Sequence, residues 1–424
     1  MNINKYGNGT KCVSAGYSAK NGDPVELPIY QSTTFKYDSA EHVAKLFDFT
    51  EFGHFYSRLS NPTVEQLENK IAELEGGVGA ICLSSGQSAS LFSIVNIAGA
   101  GDHFLCSSAL YGGTYNLFAV TMKQFGIEAS FFDQDDEDVE IQKLIKPNTK
   151  AIFAESLANP ALKVLDIERF AKLAHKNGIP LIIDNTFPTP YLCRPFEYGA
   201  DIIVHSTTKY LDGHATCVGG AVVDSGRFDW KNGKFQGLCV PDNSYHGLIY
   251  TEHFGKAAFI AKCRAHLIRD LGCCMSPMNA FLTNLGIETM HLRMDRHSEN
   301  ALAVATFLEA SDKVSWVEYP GLANNRYYEL AKKYLPHGCS GVISLGVKGG
   351  RSAAEAFMNR LTLTTIAVHV ADVRTHVLHP AGSTHRQLSD SQLLEAGVNP
   401  EMVRLSVGIE DVVDIIEDLR VALG

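Results

Sequence analysis

Two side chains of opposite charge close neighbouring apolar segments. "PLIIDNTFPTP" places Asp184 after a run of aliphatic residues, and "ADIIVHSTTKYLDGH" places Lys209 about one strand–helix unit later. Burial disfavours the charged form of either group, so each needs a partner or a shifted pKa. Alone, Lys209 can be a solvated lysine, a phosphate clamp or a covalent catalyst, and Asp184 can be a carboxylate held by any nearby donor. Together, and with the hydroxyls of Ser206, Thr207 and Thr208 beside the lysine, they suit one small molecule. Pyridoxal 5′-phosphate has an aldehyde for a lysine, a ring nitrogen for an acid, and a phosphate for hydroxyls and helix N–H groups.

Three further strand ends bear on that reading. "LSSGQSAS" carries Ser84, Ser85, Gly86 and Gln87 just before an apolar stretch. Small residues that open a helix present free N–H groups to an anion. The segment matches neither a Walker loop nor G-x-G-x-x-G, and taken alone it reads as a tight turn with an N-cap. "SALYGGTYN" places Tyr111 at a loop tip, where its ring can cover a flat ligand or simply pack. "ESLANP" holds Glu155, Asn159 and Pro160, and Asn before Pro marks a turn. Each feature is ambiguous singly, and their convergence on one ligand is what favours a site.

The elements that must position these residues follow an α/β rhythm. "VEQLENKIAELEG" is an amphipathic helix stopped by Gly76 and Gly77. The short apolar runs "GAICLSS", "DHFLCSS", "EASFFD", "KAIFAES", "PLIIDNT", "ADIIVHS" and "GGAVVD" follow, most of them separated by helical stretches such as "YNLFAVTMKQFG". That alternation predicts a mainly parallel sheet covered on both faces, with function at the carboxyl ends of its strands. After about residue 275 one long helical stretch, "NAFLTNLGIETMHLRMDRHSENALAVATFLEA", leads to the sparser strands "VSWVEY", "GVISLGVKGG" and "TIAVHV" and a last helix, "EDVVDIIEDLRVALG". Three units are expected: an irregular arm over 1–63 with aromatics at Phe52, Phe55 and Tyr56, a large α/β domain over 64–275, and a smaller α+β domain over 276–424.

Composition narrows the function class. The chain has 424 residues, 45% hydrophobic and 20% charged, with a net charge of −10. Such a balance disfavours nucleic acid as a partner. The ten cysteines include no C-x-x-C pair, so neither a metal site nor a disulfide framework is expected, and free thiols suit the cytoplasm. The N-terminus is polar and lacks the apolar core of a signal peptide. No apolar run reaches about 18 residues, so no membrane span is expected.

With "YSRLSNPT", "SSGQSA", "YGGTY", "ESLANP", "IIDNTF", "HSTTKYLDGH", "HPAGSTHRQL" and "VRLSVGIED" in this order, the chain resembles the pyridoxal-phosphate-dependent enzymes of Cys/Met metabolism over nearly its whole length. Within that family "YGGTYNLF", "GVKGG" and "HVADVRTHVLHPAGSTHRQL" are most similar to O-acetylhomoserine sulfhydrylases. The resemblance implies an aspartate aminotransferase-like, fold-type I transferase with a seven-stranded sheet. It implies Lys209 as the covalent lysine and proton carrier, Asp184 on the pyridinium nitrogen, Tyr111 stacked on the ring, Asn159 on the phenolic oxygen and Thr186 lining the ring. Ser85, Gly86, Gln87, Ser206 and Thr208 surround the phosphate, and Tyr56 and Arg58 reach it from a neighbouring subunit. Arg404 clamps the substrate carboxylate, with Tyr56 and His369 beside the substrate. His369 departs from the Ser or Asn common at its position, and Gly113 departs from the cysteine of methionine γ-lyases. The stretch "SGRFDWKNGKFQGLCVPDNSYHG" is long compared with those γ-lyases; it either shapes the substrate entrance or is a surface loop.

The implied reaction replaces the γ-acetyl group of O-acetylhomoserine by sulfide or methanethiol in a homo-oligomer, a tetramer built from dimers. Cystathionine γ-synthase and methionine γ-lyase use the same constellation and are the alternatives within the class. A non-catalytic relative of the same fold would not need Lys209, Asp184 and Arg404 together.

Overall fold

Local sequence fixes where the helices begin and end. The Asn61 side chain caps Pro62–Glu75 by accepting the Thr63 N–H, and Gly76 ends the helix in the left-handed region at φ 79°, a conformation that favours glycine. Ser85 caps Gly86–Val95 in the same way, through the Ser88 N–H. The computed structural model describes residues 3–51, 53–383, 386 and 399–424. Phe52 and most of "STHRQL" lie outside the described residues.

The seven apolar runs form β1 (Gly79–Leu83), β2 (His103–Ser107), β3 (Glu128–Phe132), β4 (Thr149–Glu155), β5 (Leu181–Asp184), β6 (Ile202–His205) and β7 (Gly220–Asp224). They make one sheet in the order β1-β7-β6-β5-β4-β2-β3. All neighbouring pairs are parallel except those of β7, which runs antiparallel to β1 and β6. β4, β5 and β6 are adjacent and in register, with Glu155 opposite Asp184 and Asp184 opposite Val204. Three strand ends therefore open on one edge of the sheet. Aliphatic residues of the central strands are fully buried on both faces, as a sheet covered on both sides requires.

A second sheet has the order β10-β11-β12-β9-β8, built from β8 (Val314–Glu318), β9 (Val342–Val347), β10 (Thr365–Ile366), β11 (His376–Leu378) and β12 (Met402–Ser406). Two expectations need correction here. The single long helix is two, Pro277–Glu288 and Met290–Glu309. Gly286 passes so close to the Asp212 carbonyl that a Cβ would sit 2.2 Å from it, and the Thr289 hydroxyl turns back onto the Gly286 carbonyl at 3.4 Å. The strand expected over "TIAVHV" keeps only Thr365–Ile366; the Ala367 N–H still bonds the Val377 carbonyl, and the chain then leaves the sheet and turns through Ala371 at φ 67°. The long stretch after Asp224 is partly core: Trp230, Phe235 and Leu238 are buried against Phe259 and its neighbours.

The two sheets are fastened at the loop that carries Lys209. Tyr210 is fully buried, its hydroxyl accepts the Gly341 N–H, and its carbonyl accepts from Arg293 at 2.9 Å. The Gly213 carbonyl accepts the Val373 N–H. Lys209 is thus presented by a turn held from both sides.

Candidate active site

The ends of β4, β5 and β6, the start of helix Gly86–Val95 and Arg404 from the middle of β12 enclose a cavity of about 250 Å³, a size that suits a small molecule. Its lining includes Lys209, Asp184, Thr186, Ser206 and Thr208 from the strand ends, and Ser85, Gly86 and Gln87 from the helix start. Tyr111, Asn159 and Arg404 complete it. These residues span most of the chain, and only the fold brings them together.

Lys209 makes no side-chain hydrogen bond or ion pair among the described residues. Burial, helped by the nearby Arg404 charge, lowers its amine to about 8, as expected for a cation moved out of water beside a like charge. Asp184 is held by Thr186, whose N–H and hydroxyl donate to Oδ1 at 3.0 and 2.5 Å. Its Oδ2 makes no hydrogen bond among the described residues. Burial raises the Asp184 carboxyl, and the Thr186 hydrogen bonds and the His205 ring oppose that rise. His205 is itself fixed by buried Glu75 at 2.6 Å. Thr186 also accepts the Ser206 N–H at 2.8 Å, so it ties the Asp184 and Lys209 strand ends together as well as lining the cavity.

Arg404 is 6% exposed, yet no carboxylate meets it among the described residues. Its Nη1 donates to Asn159 Oδ1 at 3.2 Å and its Nη2 to the Val368 carbonyl at 3.3 Å. Burial lowers the guanidinium to about 10. A buried cation with only long bonds to neutral oxygens retains capacity for an anion.

The free groups fit pyridoxal phosphate. The lysine amine suits the aldehyde, Asp184 Oδ2 suits a ring N–H, and Asn159 Nδ2, which has no partner among the described residues, suits the phenolic oxygen. The Gly86 and Gln87 N–H groups open a ten-residue helix toward the Ser206 hydroxyl, an arrangement suited to a phosphate. A Cβ on Gly86 would lie 2.6 Å from Ser206 Cβ, so only glycine allows this approach. Gln87 Oε1 is buried without a partner. The ring of Tyr111, 46% exposed, is available to cover a ligand.

Tyr56, Arg58 and His369 stand elsewhere in this chain. Arg58 donates to the Arg269 carbonyl and lies over the Tyr56 ring. Both line a separate hollow with Arg269 and Tyr245, the latter from the long stretch after Asp224. His369 faces Asp372 at 3.9 Å and the His376 ring; its neighbours Val368 and Val370 line the cavity, and it does not. Sequence reasoning gave no role to Glu155, which lines the cavity and accepts the backbone N–H groups of Tyr111 and Asn159. The strand-end acid in "ESLANP" was its only signal, and an acid beside a turn has many uses.

Residues 9–424 match the family described as Cys/Met metabolism PLP-dependent enzyme. The chain is 46% identical over 406 residues to an O-acetyl-L-homoserine sulfhydrylase of Leptospira meyeri, covering 94% of this chain and 92% of that one. It is 46% identical over 425 residues to an O-acetyl-L-homoserine sulfhydrylase of Corynebacterium glutamicum, covering 99% and 97%. Among solved structures, a Campylobacter jejuni protein assigned as an O-acetylhomoserine (thiol)-lyase, carrying N'-pyridoxyl-lysine-5'-monophosphate, superposes with a TM-score of 0.95 at 38% identity. That match covers 99% of this chain and 100% of the other.

Proposed function

Because the chain belongs to the Cys/Met metabolism PLP-dependent enzymes, we propose that it replaces the γ-acetyl group of O-acetyl-L-homoserine with sulfide, releasing L-homocysteine and acetate in methionine biosynthesis. Methanethiol in place of sulfide gives methionine. The observation that carries this reading is Arg404, a buried guanidinium with no acid partner, opening on the same cavity as Lys209.

Pyridoxal phosphate bound in the cavity supplies an electrophilic aldehyde and an electron-withdrawing ring. Asp184 Oδ2 would accept the ring N–H, and Asn159 Nδ2 would donate to the phenolic oxygen. Ser85, Ser206, Thr208 and the Gly86 and Gln87 N–H groups would hold the phosphate, and Tyr111 would cover the ring. Arg404 grips the substrate carboxylate with both terminal guanidinium nitrogens and so fixes which hydrogen faces Lys209. Lys209 Nζ, brought to about 8, takes the α-proton and then a β-proton as acetate leaves, and returns one proton to each of those carbons as hydrosulfide adds at the γ-carbon. Thr186 keeps Asp184 oriented throughout.

In this reading residues 1–63 form an arm on a neighbouring subunit, 64–275 hold the cofactor and 276–424 carry Arg404. Tyr56 and Arg58 reach a neighbour's phosphate, which makes a dimer the smallest active unit and a tetramer of two dimers the expected assembly. His369 acts on the substrate only through the segment it shares with Val368 and Val370. No helix among the described residues is long and apolar enough to cross a membrane; the cytoplasm is proposed from the free thiols that the sequence carries. Gly113 sets this reading apart from a methionine γ-lyase. A Cβ there would lie 2.4 Å from Gln87 Nε2 and 2.5 Å from the Tyr111 ring, so a cysteine would displace both.

Turnover decides among the related activities. Purified protein is given O-acetylhomoserine with sulfide, O-acetylhomoserine with cysteine, or methionine alone. Homocysteine from the first mixture well above product from the others is expected. Preferred turnover of the second or third would replace the reading with cystathionine γ-synthase or methionine γ-lyase.

A further inference from the structure

We infer that Glu155 is a positioning residue: its one carboxylate holds in place both loops that bring Tyr111 and Asn159 to the cavity. Oε1 accepts the Tyr111 N–H at 2.6 Å and Oε2 accepts the Asn159 N–H at 2.9 Å. One acceptor pair thus ties the Tyr111 loop, 44 residues from Glu155 in sequence, to the Asn159 loop that follows β4.

The Tyr111 loop needs such an anchor. Tyr111 is 46% exposed, so packing holds it only in part, and Gly112 and Gly113, which open the short helix Gly112–Asn116, follow directly, lowering the cost of moving the backbone there. The hold extends beyond the two loops. Asn159, fixed at its N–H by Glu155, accepts from Arg404 Nη1 through its side chain. The ring-facing tyrosine, the amide for the phenolic oxygen and the carboxylate clamp therefore take their orientation from one side chain at the end of β4.

The placement is costly, which argues for a purpose beyond filling space. Glu155 is 6% exposed and lies opposite Asp184 on the adjacent strand. Burial and the Asp184 charge both raise its carboxyl, and the Tyr111 and Asn159 N–H groups oppose them. A glutamine of the same shape has one acceptor oxygen, so it can satisfy one N–H well and turns an NH₂ toward the other. The inference rests on the proposed function only in assigning Tyr111 and Asn159 to the cofactor.

Amide hydrogen exchange, resolved at Tyr111 and Asn159, tests the hold directly in the holoenzyme and again after the cofactor is removed. In the wild type both amides are expected to be protected, despite the exposed Tyr111 ring. In Glu155→Gln at least one should exchange about tenfold faster or more, in keeping with loss of one charge-assisted hydrogen bond, while amides in β5 and β6 keep their protection. The same variant should show weaker visible circular dichroism from the bound cofactor and a kcat lower by about tenfold. Glu155→Asp, which keeps the charge on a shorter stem, should recover part of each. Unchanged exchange and dichroism in Glu155→Gln would overturn the inference. Should that variant not fold, free exchange of the Tyr111 amide in the wild type overturns it equally, and slow exchange supports it. Because exchange is read without turnover, failure of the sulfhydrylase reading leaves this result standing, and the reverse also holds.

Discussion

Arg404 and Arg264 meet burial in opposite ways. Arg264 keeps 26% of its side chain exposed, yet it has an acid: its Nη2 donates to buried Glu68 at 2.5 Å. Burial works against its charge, and the Glu68 charge and hydrogen bond overcome that, holding the guanidinium above its usual range. Arg404 is more deeply buried and has no acid among the described residues, so burial outweighs the opposing effect of Tyr111 and the group falls to about 10. Arg293 shows that lack of an acid is not by itself the mark of a site. It is also buried and lowered to about 10, but its three nitrogens all meet oxygens, including the Tyr210 carbonyl at 2.9 Å and the Gly286 carbonyl at 2.5 Å. Arg404 has two bonds, both longer than 3 Å, and a cavity in front of it. The frame of the molecule satisfies its cations internally, whereas the cavity leaves Arg404 and Lys209 for a ligand.

Four variants test that contrast, beginning with the largest effect. Lys209→Ala should abolish the visible absorbance of the bound cofactor and lower γ-replacement by at least about 10³-fold, with folding intact by far-ultraviolet circular dichroism. A coloured, active variant would remove Lys209 from its role. Arg264→Ala should do the reverse: lose about 3 kcal/mol of stability, since Glu68 is left buried and unpaired, while KM for O-acetylhomoserine stays within about twofold of wild type. Denaturant titration and steady-state kinetics measure the two halves. Arg404→Lys keeps a positive charge but not the fork, so kcat/KM should fall about 10- to 100-fold through KM, with stability changed by less than about 1 kcal/mol. If Arg404→Lys proves the more destabilising of the two arginine changes, the contrast is broken.

The smallest effect concerns protons. The Lys209 amine lies at about 8 in the folded chain against 10.5 unfolded. The unfolded chain therefore binds more protons between those values, so stability rises with pH across that window. Below about pH 8 the cost of the buried charge is fully present. Cofactor-free Lys209→Met should accordingly melt higher than cofactor-free wild type at pH 7, by of order 1 kcal/mol, and the gap should shrink as pH rises through 8 and beyond. A gap independent of pH would mean that the amine is not strained by burial.

Much of the site was legible because each strand end carries its own local signal. Asp184 and Lys209 each interrupt an apolar run, and Ser85–Gly86 stands where a cap belongs. Arg404 and Glu155 carried no such signal in spacing. An arginine in the short strand "MVRLS" of a second sheet looks like any strand residue until it is seen to line the cavity, and its role was suggested by resemblance alone. Glu155 was visible as an acid at a strand end, but the two amides that it holds lie in loops whose paths depend on the whole fold. The break at Thr289 left no mark in the apolar periodicity either, and the close approach of Gly286 to the Asp212 carbonyl just before it is a tertiary contact.

By itself, then, the sequence determined the strand–helix alternation, the caps, and the strand-end acid and lysine, because apolar periodicity and capping act over a few residues. Tertiary structure alone decided that Arg404 faces Lys209 without an acid, that Thr186 bridges two strand ends, and that Glu155 holds two loops. Those relations join residues far apart in the chain, and their chemistry depends on distances and burial that only the packed fold sets.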